Sequence, residues 1–140
     1  MKLLGIDYGL KRIGVAISDD LQMMAFPYCT LEGKNAVDEL LKIIASEKPA
    51  KIIVGLPKNL DNTLNPIEKN IGELIRLIGQ KFPGIPVDRV DERFTSSLAL
   101  QTMIAMNTKK SDRRKKENLD KISAAIILQS YIDANKNFKK

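Results

Sequence analysis

The chain has 140 residues, 44% of them hydrophobic and 29% charged, and a formal net charge of +6. That is enough for one soluble domain with a real core, so residues 1–140 are expected to fold as a single unit. It carries no histidine and a single cysteine, Cys29. These counts exclude a Ser/His/Asp triad, a Cys/His pair, imidazole metal ligands, an internal disulfide framework and a cysteine zinc cluster, so any catalysis must rest on carboxylates. Hard carboxylate oxygens suit magnesium or manganese, which makes metal-assisted phosphoryl chemistry the natural class.

The chain opens on a short apolar run, Leu3 to Ile6, that ends on Asp7 with Gly5 and Gly9 around it. The run is too short for a signal h-region, and no later apolar run reaches membrane-spanning length, so a cytoplasmic protein with no membrane partner is expected. A second strand is predicted from Ile13 to Ser18 and a third from about Met23 to Leu31, joined by connections short enough for an antiparallel meander. Val37, Leu40, Leu41 and Ile44 repeat at helical spacing in a helix that must stop before Pro49, and KIIVGLP reads as a buried strand. Asn65, Pro66 and Glu68 fit the N-cap, first position and capping-box partner of a helix whose apolar face is Ile67, Ile71, Leu74, Ile75 and Ile78. A strand from about Pro86 to Asp91 leads to Thr95, the N-cap of a helix running to about Met106, and a last helix spans about Asn118 to Ala134. The order implies an α/β fold: a five-stranded mixed sheet, three antiparallel strands and then parallel ones, flanked by helices.

Three acids stand where a site would form. Asp7 closes the first strand, a place where an aspartate also serves simply to cap a turn. Glu92, in VDERFTSS, lies where a late strand gives way to a helix, and strand ends are where sites form in α/β sheets. Asp120 is followed by Ala124, Ile127 and Tyr131 at i+4, i+7 and i+11, so it heads an inward-facing helical stripe, although a first-turn aspartate also complements the helix dipole. Converging, the three would hold one or two divalent ions, Asp7 bridging them in the two-ion case, where the spacing is about 3.5 to 4 Å. Lys11 and Arg12 beside Asp7, Lys58 and Asn59 in GLPKNLDNT, and Arg93, Thr95 and Ser96 after Glu92 all suit phosphate oxygens. The run Lys109 to Lys116 sets six basic residues, Lys109, Lys110, Arg113 and Arg114 among them, against the single Asp112. Such a cluster attracts polyanions, and nucleic acid is the expected partner.

Four segments, GIDYGLKRIGVAISD, VGLPKNLDNT, VDERFTSSLA and LDKISAAIILQSYI, together resemble the YqgF-type pre-16S rRNA nucleases, also described as Holliday junction resolvases, of the ribonuclease H-like fold. The resemblance covers nearly the whole chain. It implies that Asp7, Glu92 and Asp120 are the catalytic, metal-binding acids, with Mg2+ or Mn2+ as cofactor and a phosphodiester in pre-rRNA or branched DNA as substrate. Where the family usually shows two threonines this chain has Thr95 and Ser96, and where it shows glycine after Asp61 this chain has Asn62. Related resolvases carry an acid near the end of the fourth strand; here Leu56 and Pro57 stand there, so the resemblance implies that Glu92 would have to substitute for it.

Two other classes fit parts of the pattern. An Asp-x-Gly strand turn followed by a Gly-Val strand also cradles phosphates in ATP-binding kinase or actin-like proteins, but those clamp nucleotide between two related domains and this chain has room for one. A non-catalytic RNA- or DNA-binding module would use the basic run alone. A metal-dependent nuclease acting in 16S rRNA maturation, as a monomer or homodimer, absorbs most of the features.

Overall fold

The computed structural model describes residues 1–57, 66–92 and 116–138, with side chains in the last stretch from 121 to 135. Five strands form one sheet: β1 (Leu3–Tyr8), β2 (Arg12–Ser18), β3 (Ala25–Glu32), β4 (Lys51–Leu56) and β5 (Val87–Asp91), in the order β3-β2-β1-β4-β5. β1 pairs antiparallel with β2 and β2 with β3, whereas β1–β4 and β4–β5 are parallel. The expected meander followed by parallel strands is what forms. Parallel neighbours need long crossovers, and here α1 (Ala36–Glu47) and α2 (Glu68–Lys81) fall within them. The last described helix, α3 (Lys116–Phe138), is longer than its apolar stripe suggested.

Strand alternation sends side chains to two faces. On one face Leu4, Ile6, Val15, Ile52 and Val54 pack against Leu40 and Ile44 of α1 and Ile71, Leu74 and Ile78 of α2. On the other, Leu3, Ala16, Ala25 and Ile53 pack against Ile122, Ala124, Ala125, Ile127, Leu128 and Ile132 of α3. β1 and β4 are buried on both faces, which is why their sequences are continuously apolar. Each fully buried Leu, Ile or Val among them contributes about 1.5 to 3 kcal/mol.

α2 departs from the expected start. It begins at Glu68 with Ile67 in the capping position, and among the described residues no side chain caps it; the Ile67 carbonyl accepts from both Asn70 and Ile71 at 2.9 and 3.1 Å. The Glu68 carboxylate is held by Arg89: Nη1 meets Oε1 at 2.6 Å and Nη2 meets Oε2 at 2.9 Å. Two parallel, charge-assisted bonds fix both the position and the plane of that carboxylate. Asn65 and the predicted helix from Thr95 to Met106 lie outside the described residues.

Candidate active site

The site is built at the carboxyl end of β1. Gly5 and Asp7 share the face turned to α3, and at Gly5 the helix sits so close that a Cβ would lie 2.8 Å from the Leu128 Cβ and 3.1 Å from the Ala124 carbonyl oxygen. Only glycine permits that approach. Asp7, two residues further up the same face, is partly buried and pairs across β2 with Gly14. Beyond it the chain reverses tightly, the Gly9 N–H donating to the Arg12 carbonyl at 2.9 Å.

β4 and β5 bring in Glu92. Register pairs Gly55 with Val90 and Leu56 with Asp91, so Glu92 follows directly on the upper end of β5. Its Oε2 lies 2.7 Å from where a Cβ on Gly55 would stand, and the Ile127 Cδ1 lies 2.8 Å from the same point. Since Val54 pairs with Ile6, Gly55 is the β4 residue level with Asp7. Glu92 therefore leans over the bare backbone of β4 toward the strand that carries Asp7. Burial pushes its carboxyl above the usual carboxylate range, against the opposing pull of Arg89; Asp91 and Glu68 add to the upward shift.

Arg89 is the functional-site neighbour that sequence reading missed. Besides its fork on Glu68 it donates from Nη2 to the Gly55 carbonyl at 2.9 Å and from Nε to the Val54 carbonyl at 3.2 Å. It thus fixes the end of β4 from the face opposite Glu92. Its alternation with Val87 and Asp91 in VDRVDE was the available signal, since an arginine inside a short sheet strand needs a buried partner.

The helix α3 runs antiparallel to β1 and β4. At its far end the Tyr131 hydroxyl accepts from Lys51 Nζ at 2.8 Å and donates to Asp88 Oδ2 at 2.9 Å, beside the start of β4. Ile127, by contrast, meets Gly55 near that strand's end. The backbone at Asp120, one helical turn before Ala124, accordingly belongs to the end of the sheet where Asp7 and Glu92 lie. The side chain of Asp120 lies outside the described residues. Among the described side chains, no group of three His, Cys, Asp or Glu residues is placed to hold a metal ion.

Of the expected phosphate contacts, Lys11 is exposed on the β1–β2 turn, and Arg12 faces Glu32 at 3.9 Å. Lys58, Asn59, Arg93, Thr95, Ser96, Lys109, Lys110, Arg113 and Arg114 lie outside the described residues. No described helix is long and apolar enough to cross a membrane.

A sheet of order 3-2-1-4-5, antiparallel then parallel, with acids at the carboxyl ends of β1 and β5, defines a ribonuclease H-like nuclease fold. The family model described as "RuvX: Holliday junction resolvase" matches residues 1–134, and the chain belongs to that family. It is a nuclease, a hydrolase acting on ester bonds. Among curated relatives, a protein of Phocaeicola vulgatus named "Putative pre-16S rRNA nuclease" is 44% identical, covering 96% of this chain and 97% of its own. One of the same name from Bacteroides fragilis is 41% identical, covering 96% and 98%. Among solved structures, T. thermophilus RuvC in complex with Holliday junction substrate has a similar fold, with a TM-score of 0.59 at 16% identity, covering 97% of this chain and 96% of that one.

Proposed function

We propose that this chain is a magnesium- or manganese-dependent nuclease that hydrolyses phosphodiester bonds of precursor 16S rRNA, with Asp7, Glu92 and Asp120 as its metal-holding acids. The observation that carries the reading is the seat of Glu92: a carboxylate pressed over a glycine, level with Asp7, at the carboxyl edge of the sheet. Oxygen donors of this kind fit a hard divalent cation, and the space a Cβ on Gly55 would fill is what lets Glu92 reach inward. When bound, such a cation lowers the pKa of water and offsets charge on the reacting phosphate. The chain's own groups do the rest. Asp7 and Glu92 hold the charge that draws the cation in, Lys11 and Arg12 stand beside the first strand's end to meet flanking phosphates, and the packed α3 face excludes bulk water from behind the acids. The names of the relatives support the RNA substrate.

The family's own description favours a second reading, cleavage of branched DNA. Both substrates present the same phosphodiester to the same acids. Comparing a precursor-rRNA fragment with a four-way DNA junction, with and without magnesium, separates them: faster cleavage of the fragment is expected. Undiminished magnesium-dependent cleavage by a folded Asp7→Asn variant would remove Asp7 from the site.

A further inference from the structure

Tyr8 follows Asp7 directly, and strand alternation turns it to the opposite face of the sheet, where it packs at the edge of the α1 and α2 core. Two clefts adjoin there. One, of about 90 Å3, lies between the β1–β2 turn and the start of α1 and is lined by Tyr8, Lys11, Arg12, Lys34 and Val37 with their neighbours. The other, of about 210 Å3, runs between α1 and α2 and is lined by Tyr8, Val37, Asn70, Glu73, Leu74 and Leu77. Tyr8 and Val37 belong to both.

The chemistry changes in order along this trough. Its first end is cationic, with Lys11 and Lys34 both exposed along its lining. Its middle is an aromatic ring with aliphatic walls. Its far end offers an amide and a carboxylate. Phosphate, flat base and base edge call for those three surfaces in that order: cations for phosphate, an aromatic face for stacking, and Asn and Glu for an exocyclic amino group. A cleft of this size is below the roughly 300 Å3 at which drug-sized ligands begin to fit, and matches one ring system.

We propose that Tyr8 is the floor of a base-binding subsite that takes an unpaired nucleotide next to the scissile phosphate, stacking its base between α1 and α2 and favouring bases with an exocyclic amino group. The subsite rests on the nuclease reading for its orientation, since Asp7 holds the reacting phosphate across the strand end. A paired base has neither face free and is excluded, so the enzyme takes substrates with a single-stranded or everted residue beside the cut.

The test reads binding rather than cleavage. An adenosine-rich single-stranded RNA oligonucleotide is titrated in EDTA with the full chain, alongside copies in which one base at a time is removed to leave an abasic sugar. Tyr8→Ala should weaken binding of the intact strand roughly ten-fold while Tyr8→Phe stays within about two-fold, and the variant should lose the penalty that wild type shows at one abasic position. The chain has no tryptophan, so Tyr8→Trp installs a single fluorophore. Its emission should be quenched by the intact strand and not by the strand abasic at that position. If Tyr8→Ala does not fold, the Tyr8→Trp quench and an Asn70→Ala variant carry the same comparison. Equal binding by wild type and a folded Tyr8→Ala, or quenching indifferent to every base removed, overturns the subsite. Because EDTA suppresses metal-dependent cleavage, failure of the nuclease reading would show separately, as no magnesium-dependent cut by wild type.

Discussion

The carboxylate of Glu92 lies in the space that a side chain on Gly55 would occupy, with Oε2 2.7 Å from the position of that absent Cβ. The acid and the glycine are a matched pair, and the match can be broken from the glycine's side. Gly55→Ala should fold, because the atoms it meets, Glu92 Oε2 and Ile127 Cδ1, are the ends of flexible side chains. It should still displace Glu92 and lower kcat at least ten-fold, at a stability cost of about 1 to 3 kcal/mol, read by single-turnover cleavage and urea unfolding.

Gly5→Ala is the contrasting case. The new methyl would meet the Leu128 Cβ and the Ala124 backbone oxygen, neither of which can swing aside. The helix must move bodily, and a loss above about 2 kcal/mol is expected, with protein that is largely unfolded at physiological temperature. A melting temperature near wild type would show that α3 does not bear on β1 as described.

Glu92 should limit stability while serving activity. Burial holds its folded-state pKa above the ordinary 4.5, so its protonated form is the one that the fold favours. Stability from this group is complete below the unfolded value and is lost as pH rises through the folded one. At pH 7 in EDTA, Glu92→Gln should therefore melt higher than wild type, and the gain should vanish below about pH 4.5. Cleavage by the variant should be lost, and added magnesium should raise the melting temperature of wild type more than that of Glu92→Gln.

Arg89→Ala leaves Glu68 without its fork and removes the bonds that Arg89 donates to the Val54 and Gly55 carbonyls. Both side chains of the pair are largely shielded, at 26% and 17% exposed, so a loss of about 2 to 4 kcal/mol is expected in urea unfolding. Arg89→Lys should recover little, since one ammonium cannot serve a carboxylate and two carbonyls in that plane.

Gln129→Ala should cost about 1 to 3 kcal/mol. The Gln129 Oε1 accepts from the buried Ala25 N–H at 2.8 Å, and an apolar replacement leaves that donor unpaired where β3 begins. Hydrogen exchange at Ala25 should accelerate more than at the β1 amides.

The strands and their pairing were legible because apolar runs, alternation and short connections each act locally and agree. The placement of Asp7 and Glu92 at strand ends was legible for a related reason: acids next to glycine or a helix start need no tertiary knowledge to be noticed. Arg89 was not, because the feature that gives it meaning, a carboxylate at the first turn of α2 and two carbonyls on a neighbouring strand, is assembled only by the crossover. The fork between Glu68 and Arg89 was hidden for the same reason, since the two residues stand 21 apart in the chain. Gly55 carried no signal in a run that read simply as a buried strand, and its role appears only when Glu92 is seen lying on it.

The clamp of Tyr131 between Lys51 and Asp88 has a reach longer than its own contacts. Tyr131 lies eleven residues from Asp120 along one continuous helix, about 16 Å at 1.5 Å per residue. A rod held at its foot sets the height of its tip, so the depth to which the helix carries its proposed acid is gauged at the opposite end of the sheet. Selection on the rate of cutting can therefore act on a tyrosine about three helical turns from the acid it positions.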